Sequence, residues 1–100
     1  MRLAIYVPCH QAERWGEGMT FEQFQKAVIA ATGGITVMHG THLNDRSQQA
    51  VLVVEALMRM PAADEWRNAW ALFREYAQQL IAQGEPSVLI VHDNEPTVIT

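Results

Sequence analysis

The chain has 100 residues, 49% of them hydrophobic and 18% charged, which suffices for one core and is too short for two. Seven basic residues against eleven acidic ones give a formal charge of -4, which excludes a broad phosphate-binding surface and with it nucleic acid as a partner. A single cysteine, Cys9, excludes an internal disulfide framework and a thiolate-rich zinc site.

No apolar run approaches the ~18–20 residues that span a bilayer. The opening Met1-Arg2-Leu3-Ala4-Ile5 is too short an apolar stretch for a signal peptide. The expectation is one cytoplasmic domain over residues 1–100, with no membrane as partner.

Leu3 to Val7 alternate as a short strand closed by Pro8, with Leu3, Ile5 and Val7 on one face and Ala4 and Tyr6 on the other. Residues 9–19 hold no sustained period and read as a polar loop carrying Trp15. Thr20-Phe21-Glu22-Gln23 matches a capping box. Phe21, Phe24, Val28 and Ala31 follow at helical spacing, and Gly33 or Gly34 ends the helix.

Ile35 to Met38 predicts a second strand, continuing towards Leu43, and Asn44 to Ser47 reads as a turn. Gln49 to Met58 is apolar on both faces apart from Glu55, and its valines favour a strand over a buried helix. Pro61 suits the first turn of a second long helix, whose apolar stripe runs Trp66, Ala69, Trp70, Phe73, Ala77, Leu80 and Ile81 to a stop at Gly84. Ser87 to Val91 is a last strand, broken by Asp93-Asn94-Glu95-Pro96.

The order β-α-β-β-α-β is the split, ferredoxin-like pattern: an α+β fold with a four-stranded antiparallel sheet and two helices on one face. The second face should then alternate to polar residues, and it does not. Val51, Val53 and Leu57 stand on one side of the third strand and Leu52, Val54 and Ala56 on the other. An uncovered apolar face calls for a partner. A second copy packed face to face would form a homodimeric α+β barrel with an interior cavity. The alternative cover is the tail Pro96 to Thr100 folding back over the sheet.

Glu55, in the middle of that strand, is a candidate general base, or else the partner of an arginine. Four histidines occur at 10, 39, 42 and 92. The split topology brings the ends of the first two strands to one edge, so Cys9, His10, His39 and His42 form a candidate metal-ligand set. Because His39-x-x-His42 on a strand does not share a face, a bend at Gly40 is required. Cys9 with a nearby histidine is also a candidate nucleophile, weighed against a half-buried structural thiol. Tyr6, Trp15 and His42 are candidate ligand-binding residues, and Glu55 and His39 candidate catalytic ones. No cofactor is specified by any motif: Gly33-Gly34 follows a helix where a phosphate loop would open one.

Ile5-Tyr6-Val7-Pro8, Gly33-Gly34-Ile35-Thr36-Val37, Val54-Glu55-Ala56 and Gly84-Glu85-Pro86-Ser87-Val88-Leu89 together resemble a group of small bacterial stand-alone ferredoxin-like proteins over residues 3 to 91. After Gly40 that group tends to a Gly-x-Trp segment, where this chain has Gly-Thr-His. The resemblance implies a fold and brings no activity with it. The functional expectation is a small homodimer that binds a small molecule or a protein partner through the apolar sheet face. The alternatives are a cofactor-independent dimeric-barrel enzyme of monooxygenase or isomerase type, and a metal-binding protein using His10, His39 and His42.

Overall fold

A computed structural model describes residues 1–13, 18–43 and 45–100. Their elements are β1 (Arg2–Pro8), α1 (Cys9–Ala12), α2 (Phe21–Thr32), β2 (Thr36–Leu43), β3 (Gln48–Leu57), α3 (Ala63–Ala82), β4 (Val88–His92) and β5 (Glu95–Ile99). The strands form one antiparallel sheet in the order β2-β3-β1-β4-β5. The four-stranded expectation is thus corrected to five strands. Residues 95–99 neither break the sheet nor fold over it; they extend it beside β4. The turn Asp93-Asn94 closes this hairpin with Asp93 at φ 52°, a left-handed conformation that aspartate tolerates. Pro96 is admissible there because β5 is an edge strand and needs no donor on its outer side.

Local sequence sets the helix ends. The Thr20 hydroxyl accepts from the Gln23 backbone N–H at 3.1 Å, and the Gln23 side chain accepts from the Thr20 N–H at 2.9 Å. Gly33, at φ 92°, takes the left-handed cap that ends α2. α3 begins two residues after Pro61, with Asp64 and Glu65 complementing the helix dipole in its first turn. The loop expected after β1 opens instead with the single helical turn α1.

The register fixes which side chains share a face, because directly opposed residues of antiparallel strands point the same way. Leu3, Ile5 and Val7 align with Ala56, Val54 and Leu52, and Ile5 aligns with Ile90. This is the helix-covered face: Phe24 and Val28 of α2 and Phe73, Tyr76 and Leu80 of α3 bury against it. Phe24 stacks on Tyr76 at 4.2 Å between ring centroids and tilts against Phe73 at 5.4 Å. Burial pushes the Tyr76 hydroxyl up to about 12.

The opposite face carries Ala4 and Tyr6 of β1, Val51, Val53, Glu55 and Leu57 of β3, Met38 and His42 of β2, Leu89 and Val91 of β4, and Val98 of β5. Ala4 and Val51 are buried within the sheet itself, and none of these residues belongs to the cluster packed under the helices. Leu57 and Val98 are 65% and 59% exposed. The helices leave this face open.

Candidate functional site

A hollow of about 360 Å³ lies on the open face where β1 ends and β3 and β4 begin. Tyr6, Pro8, Val51 and Leu89 line its floor, and all four fall on the open face by register. His42 and Gln49, opposed on β2 and β3, line the side. Glu85 and Ser87, from the turn between α3 and β4, complete the wall. The ribbon of β2 and β3 reaches this point because it continues three residue pairs beyond Pro8↔Val51, the last pair β1 makes with β3.

Two sequence candidates, Tyr6 and His42, therefore meet at one site. Trp15 lies outside the described residues. Glu55 does not join them. It faces a second, wider hollow of about 520 Å³ at the other end of the strand, and its carboxylate accepts from Arg2 Nε at 2.5 Å. Their side-chain exposures are 36% for Arg2 and 17% for Glu55.

The candidate metal set does not assemble. β2 runs through Gly40 without a break, so strict alternation sends His39 to the helix side and His42 to the open side. After Pro8 the chain turns into α1, and His10 Nε2 meets Glu85 Oε1 at 2.8 Å. Cys9 is a free, half-buried thiol at the start of α1. Among the described residues no three His, Cys, Asp or Glu side chains stand close enough to share a metal ion. The pairing of His39 with Glu55 fails for the same reason: the two belong to opposite faces of the sheet.

Glu85 is absent from the sequence candidates, yet it is the most informative group in the hollow. It is buried, and its Oε1 accepts from Gln11 Nε2 at 3.0 Å as well as meeting His10. Gln11 is also buried, and its own Oε1 has no hydrogen-bond partner among the described residues. Flipping the amide would turn that oxygen onto the carboxylate, so Glu85 fixes the orientation. Nothing local marks Glu85 in advance. It stands between a helix-ending glycine and a proline, where an acidic residue ordinarily faces water.

Among the described residues, Glu85 is the one charged side chain lining the hollow; Arg46 precedes the wall residue Ser47 without lining it. No described helix is long and apolar enough to cross a membrane. Compared with family models, with curated proteins and with solved structures, the chain has no match in any of the three.

Proposed function

We propose that this chain is a homodimeric small-molecule-binding protein, with two copies packed open face to open face and the hollow as the ligand site in the interface. The carrying observation is the chemistry of the open face. Its strands present Tyr6, Met38, Val53, Leu57, Leu89, Val91 and Val98, with the polar Thr36, His42 and Gln49 along the β2–β3 side and Arg2 and Glu55 as the charged residues. Those two neutralise each other. A face that is apolar and internally charge-balanced loses little by leaving water, whereas a monomer gains nothing by displaying it.

Size supports the same occupant. Five strands of seven residues on average make a face of roughly 550 Å², so two copies bury about 1,100 Å², near the lower bound for a specific interface. A two-fold arrangement makes the patch its own complement. The strand order β4-β1-β3-β2 within the larger sheet supports a ferredoxin-like core extended by β5, the unit from which face-to-face barrels are built.

The catalytic alternative has less behind it. Glu55 is occupied by Arg2, and His39 lies on the other side of the sheet.

Sedimentation equilibrium tests the dimer directly. The wild type is expected at twice the chain mass. Val53→Asp, which puts a charge on the half-buried centre of the open face, is expected at the single chain mass with its circular dichroism unchanged. A wild type that stays monomeric at high micromolar concentration overturns the proposal.

A further inference from the structure

We infer that the hollow selects compact, singly protonated amines with an apolar body, an inference that rests on reading the hollow as a small-molecule site and names the ligand class. Glu85 offers a carboxylate in the wall, and it is buried. Both of its contacts to Gln11 and His10 use Oε1, so the second oxygen is the one a ligand would engage. An ammonium group has donors for a carboxylate and no acceptor to clash with it. A charge-assisted hydrogen bond in a partly desolvated wall is about twice as strong as a neutral one.

An anionic ligand meets the opposite situation. No lysine or arginine among the described residues lines the hollow, and a buried carboxylate repels a second one at short range. A metal ion is also poorly served: among the described residues no two further ligands join this carboxylate, and one carboxylate alone makes an incomplete shell. Tyr6, Val51 and Leu89 supply an apolar floor for the body of the ligand, and the Tyr6 ring adds a surface that cations favour. A volume of about 360 Å³ holds about a dozen waters at ~30 Å³ each. The ligand is therefore of that order in non-hydrogen atoms.

Phenethylamine and phenylacetate share an aromatic body and carry opposite charges. Each is titrated into the full chain while the backbone amide NMR signals of Tyr6, Gln49 and Leu89 are followed. The amine is expected to move all three, and phenylacetate none. Glu85→Gln, which keeps the size and an acceptor oxygen, should weaken the amine at least about ten-fold. Ser87→Lys is exposed in the wall and tests the same point without touching the buried network, by placing a positive charge beside the site. It too should weaken the amine and spare the fold.

Equal binding of amine and carboxylate, no response at these three amides, or an unchanged affinity in Ser87→Lys overturns the inference. Sedimentation of the same samples separates the two proposals. A monomer that binds the amine overturns the dimer alone, and a dimer that ignores the amine overturns the ligand class alone.

Discussion

The Arg2–Glu55 pair reports on whether the open face is covered. Arg2→Met keeps most of the side-chain volume and removes the partner of a carboxylate that is already only 17% exposed. If the face is bathed in water, Glu55 keeps its remaining hydration, and losing a solvent-screened pair costs under ~1 kcal/mol. If a second copy covers the face, the same substitution leaves an unpaired charge buried, at ~3–5 kcal/mol per chain. These outcomes differ by at least ~2 kcal/mol, more than a factor of ten in the folding equilibrium. Arg2→Met/Glu55→Leu removes both charges and should return to within ~1 kcal/mol of the wild type, or exceed it, because a buried pair replaced by apolar groups is close to neutral. Urea unfolding is measured at two protein concentrations, since the midpoint of a dimer rises with concentration and that of a monomer does not. A cost below ~1 kcal/mol in Arg2→Met, with a concentration-independent midpoint, refutes the covered face.

Two further predictions concern the fold. Gly18 and Gly33 both sit at left-handed φ, 98° and 92°, but a Cβ at Gly33 meets open space, whereas one at Gly18 falls 2.5 Å from Gln79 Oε1. Gln79 brackets Met19 through hydrogen bonds to its N–H and its carbonyl. Thermal unfolding should therefore show Gly33→Ala losing ~1–2 kcal/mol from backbone strain and Gly18→Ala losing clearly more; equal losses refute the contact. The Tyr76 hydroxyl is held up at about 12 against 10.0 in the unfolded chain. The unfolded state thus releases its proton first, so this contribution is complete below pH 10 and is lost as pH rises from 10 to about 12. Alkaline unfolding followed by tyrosinate absorbance should show that slope flattened in Tyr76→Phe.

A residue's role is legible in the sequence where its immediate neighbours decide it. The capping box at Thr20 and the glycine at 33 bound α2 without reference to the rest of the molecule. Strand alternation separates Val51, Val53 and Leu57 from Leu52, Val54 and Ala56, and the register keeps the two sets on opposite faces. β5 escaped because Asp93-Asn94 is a weaker hairpin signal than Asn-Gly, and a proline next to it argues against a strand until the strand is known to be at an edge. Tyr76 fell outside the expected stripe of α3, although its ring is buried against Phe24. The site itself was half legible. Tyr6 could be proposed from its strand face and His42 from the sheet edge where its strand ends, whereas Glu85 depends on α1 carrying Gln11 and His10 to a turn about 75 residues further along, which no local pattern encodes.

β1 sits in the middle of the sheet, yet both of its neighbours, β3 and β4, are made after it. On the ribosome this greasy segment emerges long before anything can pair with it, and its ladder with β4 joins Leu3 to His92. Closing such distant pairs is slow, and an apolar strand waiting unpaired invites association with other chains. Production of this protein should therefore be sensitive to translation speed and to chaperone supply. Moving β1 behind β5 by circular permutation, joining the ends through a flexible linker, would let the sheet assemble with its central strand arriving last.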